Sequence, residues 1–135
     1  MPQEYRDPDM SRSWRGRRNH LSGIAAEESV ARYYHRRGAE LLGQRIRTPE
    51  GELDLVTRTG DILVCVEVKK RSRKHLHDSP ISRKQWHRLE MAALHYMMKV
   101  QDETGVQPVC RFDVALVGPD GGIDVIENAR SFEEQ

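Results

Sequence analysis

Apolar residues recur along this chain with two different periods, one typical of helices and one typical of strands. Apolar positions three and four residues apart, bounded by serine and glycine, predict two helices, and runs of β-branched and aliphatic residues between turn formers predict five strands. The predicted elements are a helix over 22–37 with Ser22 as N-cap and Gly38 as its stop, a strand over 39–47 with a bulge at Gly43, strands over 51–56 and 62–71, a helix over 81–100 with Ser82 as N-cap, and strands over 109–117 and 123–126. This order predicts an α/β fold in which helices pack on a mixed sheet.

The segments at either end of the predicted elements carry no such period. Residues 1–20 are predicted to form a flexible N-terminal tail, with partial helix from Ser13 onward as the alternative. Residues 101–107 are predicted to form a linker and residues 129–135 a C-terminal tail, around a single domain over 21–128. A chain of 135 residues and 15.6 kDa suits one domain with one modest core.

Alternation along the first strand of the predicted hairpin separates acidic from apolar residues. Glu52 and Asp54 are predicted to point to one face, and Leu53 and Leu55 to the other. The apolar face would back the acidic one.

The turn of the hairpin determines which residues of its second strand lie opposite these acids. A turn centred on Thr59 and Gly60 places Glu52 opposite Glu67, and Asp54 opposite Cys65. Like charges directly opposite one another destabilise a sheet, so the predicted cluster needs a compensating partner.

A divalent cation such as Mg²⁺ or Mn²⁺ would supply that compensation, because hard cations take carboxylate oxygens. Lys69 follows on the same side of the strand and could orient a water molecule or stabilise charge on a phosphate. The plainer alternative is that Glu52 and Lys69 are solvated strand-edge charges and that Glu67 and Lys69 form a local ion pair.

Each predicted helix adds one polar residue to this set. Glu27 lies near the middle of the apolar arc of the first helix, where a carboxylate is costly unless it is paired, protonated or bound to metal. The alternative is a glutamate in the N-terminal turn that interacts with the helix dipole. Gln85 lies at the edge of the buried stripe of the second helix, where it could face the acids or simply be solvated.

Basic residues concentrate immediately after the acidic strands, although the net charge is only +1. A phosphate backbone would need positive charge at such a place, so this stretch is predicted to contact nucleic acid. The predicted contact residues are Lys70, Arg71, Arg73, Lys74, Arg83, Lys84 and Arg88.

The sequence does not predict a membrane protein. The longest apolar run, Ile62 to Val66, is too short to span a bilayer, and the first twenty residues lack the apolar segment of a signal peptide. Cys65 and Cys110 are expected to be buried thiols in a reducing compartment, so the predicted location is cytoplasmic.

An aspartate, a turn and an apolar strand ending in Glu-Val-Lys resemble the metal site of PD-(D/E)XK nucleases. The sequences GELDL at 51–55, VEVK at 66–69 and RKQ at 83–85 are similar to those of the YraN-like proteins of that superfamily. The resemblance implies a restriction-endonuclease-like fold with an α-β-β-β-α-β core. It also implies a Mg²⁺- or Mn²⁺-dependent DNA endonuclease, acting on branched DNA as the related Holliday-junction resolvases do, and a homodimer.

The same resemblance implies roles for individual residues. Asp54 and Glu67 would bind the metal, Lys69 would assist the attacking water, and Glu27 and Glu52 would complete the outer ligand sphere. Gln85 would hold water or substrate phosphate. Two alternatives remain open, a non-catalytic nucleic-acid-binding module on the same fold and a structural or adaptor protein whose charges are only a solvated surface.

Overall fold

Two helices and five strands follow one another in the order that the hydrophobic pattern predicts. The structure, a computed structural model, describes residues 11–71 and 81–130, with side chains described from residue 23 onward. The elements are α1 (Ser11–Arg36), β1 (Glu40–Thr48), β2 (Gly51–Thr59), β3 (Ile62–Lys70), α2 (Arg83–Thr104), β4 (Val109–Val117) and β5 (Ile123–Arg130).

The strands form one mixed sheet in the order β1-β2-β3-β4-β5. Neighbouring strands are antiparallel except β3 and β4, which are parallel and are joined through α2. A parallel pair requires such a crossover connection, because a tight turn can only join antiparallel neighbours. The predicted α/β fold with an α-β-β-β-α-β core is therefore confirmed.

Each face of the sheet is covered by one helix, and each helix encloses its own apolar core. Val30 and Tyr34 of α1 pack against Leu55 and Val64, whereas α2 packs on the opposite face. The core on the α2 side comprises Leu53, Val56, Cys65, Ile81, Leu89, Ala92, Ala93, Phe112 and Val114. Among the described residues, neither helix combines the length and the apolar character needed to cross a bilayer.

The first helix begins earlier than the apolar period indicates. It starts at Ser11, so the alternative of helix from Ser13 onward is the correct one, with a start two residues earlier, and Ser22 is not the N-cap. Arginine, which occupies four of these ten positions, is a favourable helix former and no proline interrupts the stretch, but it lacks the apolar stripe on which the prediction relied. The remainder of the predicted N-terminal tail lies outside the described residues.

The second helix and the last strand both end later than predicted. α2 runs through the first part of the predicted linker to Thr104 and ends at Gly105, whose φ of +76° suits glycine. β5 extends to Arg130, which pairs with Phe112 of β4, so residues 129 and 130 belong to the sheet rather than to a tail. A partner strand determines where a strand ends, and its own sequence pattern carries little of that information.

Three local signals in the sequence are confirmed. Ser82 caps α2, and its Oγ accepts a hydrogen bond from the backbone N–H of Gln85 at 3.1 Å. Gly38 has a φ of +87° after α1, and the pairing of β1 with β2 shifts between Leu41 and Gly43, as expected of a bulge.

The hairpin of β2 and β3 turns one residue later than predicted. Thr59 pairs with Ile62, which makes Gly60 and Asp61 the turn, and Gly60 has the positive φ of +60° that such turns favour. Cys65 consequently pairs with Val56 rather than with Asp54. The predicted register was wrong by two positions, a shift that keeps every residue of β3 on its predicted face.

Candidate active site

The two strands of the hairpin separate at the residues that were predicted to carry chemistry. Their regular pairing ends with Leu55 and Val66, so Glu52 does not pair with Glu67 as predicted. Beyond that point the backbone N–H of Val68 donates to Oδ2 of Asp54 at 2.9 Å. A carboxylate oxygen thus accepts the hydrogen bond that a backbone carbonyl would accept in a regular ladder.

β2 rotates about its axis at Asp54. Leu53 packs in the core on the α2 side and Leu55 in the core on the α1 side, although residues two apart share a face in a regular strand. The prediction that these leucines share a face was therefore wrong. Arg45 of β1, which lies between the partners of Leu53 and Leu55, has a φ of +47°, an uncommon conformation for a residue other than glycine. The irregularity in both strands gives the carboxylate of Asp54 its reach toward β3.

Glu67 is the most strongly perturbed carboxyl group of the site, and its side chain is only 11% exposed. Burial raises its pKa to about 9, reinforced by the charge of Asp54 and by a hydrogen bond between the two carboxyl groups. Lys69 lowers the same pKa, with its Nζ 3.8 Å from Oε1 of Glu67. At neutral pH Glu67 therefore keeps its proton, because its charged form would be poorly solvated and would lie beside another acid.

α1 contributes a third carboxyl group to this region. Burial raises the pKa of Glu27, the charges of Asp54 and Glu52 raise it further, and Arg45 lowers it. Nη1 of Arg45 lies 3.2 Å from Oε1 of Glu27. Since α1 begins at Ser11, Glu27 is not in its N-terminal turn, and the alternative explanation through the helix dipole is wrong.

A cavity of about 200 Å³ adjoins Glu67 on the side of the sheet that α2 covers. Gln85 is half-buried and lines this cavity. Arg88, one of the predicted nucleic-acid contacts, also lines the cavity. Glu52 lies at the same cavity and forms an ion pair with Arg47 at 3.7 Å. The lining residues are Gly51, Glu52, Glu67, Gln85, Arg88 and Leu89.

The predicted convergence of three carboxylates on one metal ion is not found. Within residues 11–71 and 81–130, no three side chains of the types His, Cys, Asp or Glu are grouped closely enough to hold a metal. Glu52 is drawn toward Arg47 and Glu27 toward Arg45, which leaves Asp54 and Glu67 as the close pair. This pair still fits a hard divalent cation, because Mg²⁺ is commonly held by one or two carboxylates together with water and substrate phosphate.

The predicted basic surface is divided by the sheet. Lys70 and Arg71 line a separate cavity against Ala26 of α1, and Arg71 also bonds to Asp124. Arg83 and Lys84 are exposed on the first turn of α2. Arg73 and Lys74 lie outside the described residues. Only Arg88 and Lys69, of the basic residues between 69 and 88 that the structure describes, lie close to the acidic pair.

Asp113 of β4 is a fully buried acid with a structural role. Its carboxylate accepts hydrogen bonds from the hydroxyl of Tyr34 at 2.7 Å, from Nε of Arg111 at 3.1 Å and from the backbone N–H of Asn128 at 2.9 Å. Burial and this hydrogen bond raise the pKa of Tyr34. Asp113 and Arg111 therefore form an ion pair within β4.

Sequence reasoning missed Arg45 and Arg47, the two arginines of β1 that pair with acids of the site. Both lie in a strand of alternating character, where exposed arginines are usual. The conformation of Arg45 carries no signal in the sequence, because left-handed backbone is expected at glycine or asparagine.

Comparison with other proteins places this site within a wide group of relatives. The model of a family described as "Uncharacterised protein family UPF0102" matches residues 26–117, which include the acidic pair, Lys69 and Gln85. A UPF0102 protein of Ruegeria pomeroyi is 44% identical over 115 residues, which cover 85% of this chain and 92% of that protein. A second, of Cereibacter sphaeroides, is 38% identical over 114 residues, or 84% of this chain and 96% of that protein. A third, of Azorhizobium caulinodans, is 35% identical over 127 residues, or 93% and 95% of the two chains.

Proposed function

This chain belongs to the uncharacterised protein family UPF0102, and from its acidic site we propose that it binds DNA and hydrolyses phosphodiester bonds with the help of Mg²⁺ or Mn²⁺. The observation that carries the proposal is the buried pair of Asp54 and Glu67 beside Lys69. Two adjacent carboxyl groups at the end of a sheet lower the stability of a fold, because each disfavours the charged form of the other, and such pairs are typical of functional sites. Branched DNA is the substrate class that the motif resemblance favours.

Asp54 and Glu67 are the residues that would hold the cation. When bound, a divalent cation supplies charge neutralisation at a phosphate and lowers the pKa of water. The hydrogen bond from the backbone N–H of Val68 holds the carboxylate of Asp54 in place before a ligand binds. Binding a cation therefore costs less side-chain entropy at Asp54. Glu67 would release its proton on binding.

Lys69 is the proposed catalytic base or electrostatic stabiliser. Its Nζ lies beside Glu67 and its side chain is 31% exposed, which gives it access to both the acidic pair and a substrate phosphate. Gln85, across the cavity on α2, would donate a hydrogen bond to a phosphate oxygen. Glu27 of α1, which forms an ion pair with Arg45, would add negative charge near the cation.

A second candidate function is DNA binding without cleavage. The observation that favours it is the missing third ligand, since a site of only two carboxylates among the described residues depends on the substrate for part of its metal affinity. The basic residues on the first turns of α2 would serve this function equally well.

Two experiments separate these candidates. The first incubates the protein with duplex, single-stranded, flap and four-way-junction DNA in Mg²⁺ or Mn²⁺, and compares wild type with Lys69→Ala and with the control Lys99→Ala. Lys99 is exposed on the last turns of α2, away from the cavity. Cleavage by wild type and the control, together with a rate at least about a hundredfold lower in Lys69→Ala, supports the enzyme.

The second experiment measures Mn²⁺ binding by calorimetry in wild type and in Asp54→Asn. Heat that is present in wild type and absent in the variant supports a cation at the acidic pair. DNA association that weakens with salt, without cleavage of any substrate, would support DNA binding without cleavage and contradict the nuclease. If the protein neither cleaves DNA nor associates with DNA at low salt, both candidates are refuted.

A further inference from the structure

Helix α2 is apolar on the side that faces away from the sheet. Met91, Leu94 and Met98 are 38%, 39% and 64% exposed, whereas Leu89 and Ala92 of the same helix are buried. An ordinary surface helix has one apolar stripe toward the core and polar residues opposite. α2 therefore presents a second apolar stripe, here called the outer stripe and defined as Met91, Leu94 and Met98.

The spacing of the outer stripe is that of a helix-pairing seam. Its residues are separated by three and then four positions, and His87 and Gln101 continue the same spacing at either end. The 22 residues of α2 give a helix about 33 Å long, enough for three heptads against a partner of the same length. The described part of the chain places α2 on β1 and β2 by its inner side.

The charges of α2 run against its own dipole. The first turn contains no acid and the last turn no base. Arg83, Lys84 and Arg88 lie in its first half, and Asp102 and Glu103 lie in its last turn. Acids near the N-terminus and bases near the C-terminus would stabilise an isolated helix, so this reversed order costs stability unless another partner uses it.

A second copy of the helix in the antiparallel direction is such a partner. It would set the basic half of each helix beside the acidic end of the other. Arg88 and Asp102 lie two heptads apart on the same flank of the outer stripe, and in an antiparallel pair equal flanks meet. The symmetry of a two-fold dimer makes this contact twice.

We propose that the outer stripe of α2 is a homodimer interface in which two copies of this chain pair their α2 helices antiparallel, with Arg88 of each copy facing Asp102 of the other. Phosphate binding would explain only the basic residues in the first half of α2. It explains neither the exposed methionines nor the acids at the far end of the helix. A hydrophobic partner protein would explain the methionines but not the self-complementary order of the charges.

The mass of the full chain in solution, measured without DNA by sedimentation over a concentration series, tests this proposal. Wild type is expected to be a dimer. Met98→Glu is expected to weaken the dimer about thirtyfold or more, as removal of a central interface residue does, whereas Lys99→Glu, next to it but off the stripe, should have little effect. Circular dichroism of each variant checks that the fold is intact.

Charge reversal at Arg88 and Asp102 separates a specific contact from general damage to the surface, because only a specific contact is restored in the double variant. Arg88→Asp and Asp102→Arg should each weaken the dimer, and the double variant should recover most of the lost affinity. A wild-type monomer at every concentration would overturn the proposal, as would a dimer that Met98→Glu leaves unchanged or a double variant weaker than both single ones. Because DNA is absent, these outcomes do not depend on the proposed nuclease activity.

Discussion

Replacing Glu67 by glutamine should stabilise this protein above neutral pH. The folded state raises the pKa of Glu67 from 4.5 to about 9, chiefly because the side chain is buried and secondly because Asp54 repels its charge. The folded chain therefore keeps a proton that the unfolded chain releases, and stability is highest below the unfolded pKa and falls as the pH rises toward the folded one.

The size of the effect follows from the shift and from the access of water. One pKa unit corresponds to about 1.4 kcal/mol, so the full shift sets a ceiling of ~6 kcal/mol. The side chain keeps 11% of its surface in contact with solvent, which stabilises the charged form and makes the real penalty smaller than this ceiling. We expect Glu67→Gln to raise the free energy of unfolding by ~1–3 kcal/mol at about pH 8, and to change it little at a pH below 4.5.

Urea denaturation followed by circular dichroism at a series of pH values measures this difference. Glu28→Gln is the matched control, because Glu28 is an exposed glutamate on α1 and should leave the pH dependence unchanged. A Glu67→Gln variant that is less stable than wild type at about pH 8, or that keeps the wild-type slope, would refute the account of a buried carboxyl pair.

Added cation should act on the same pair in the opposite direction. Millimolar Mn²⁺ is expected to raise the unfolding free energy of wild type above neutral pH, since a ligand that binds only the folded state stabilises it. Glu67→Gln should lose most of that gain. Equal stabilisation of both proteins would place any bound cation elsewhere.

Three further changes test other parts of the structure. Tyr34→Phe removes a hydrogen bond to the buried carboxylate of Asp113 and should cost ~1–3 kcal/mol of unfolding free energy in urea denaturation. Ser82→Ala removes the N-cap of α2 and should cost ~1 kcal/mol in the same assay. Arg45→Ala should raise the pKa of Glu27 further, because Arg45 is the residue that lowers it, and carboxyl titration by NMR measures this.

Each of these has a neighbouring control. Tyr33→Phe alters the ring that packs edge to face on Tyr34 and should cost less than Tyr34→Phe. Ser29→Ala, inside α1, should not destabilise, because alanine is the better helix former. Arg36→Ala, at the end of α1, should leave the Glu27 titration unchanged. Equal effects in a variant and its control would contradict the contact concerned.

Local pattern was sufficient for the elements of this fold, because each depends on residues close together in the sequence. The period of apolar residues predicted all seven elements, the serine before α2 predicted its cap, and the exact ends of β4 followed from the run at 109–117. The pattern failed where a boundary had no local cause. Residues 11–21 form helix without an apolar stripe, and β5 extends only because β4 lies beside it.

The sequence by itself determined that Glu67 and Lys69 share one side of a strand, since alternation is a property of the extended chain. Only the tertiary structure decided which acids meet. It separated β2 from β3 after Leu55, joined Asp54 to Val68, and drew Glu52 toward an arginine of β1. These outcomes depend on strand register and on contacts between distant segments, which packing of the whole domain selects and no local run of residues encodes.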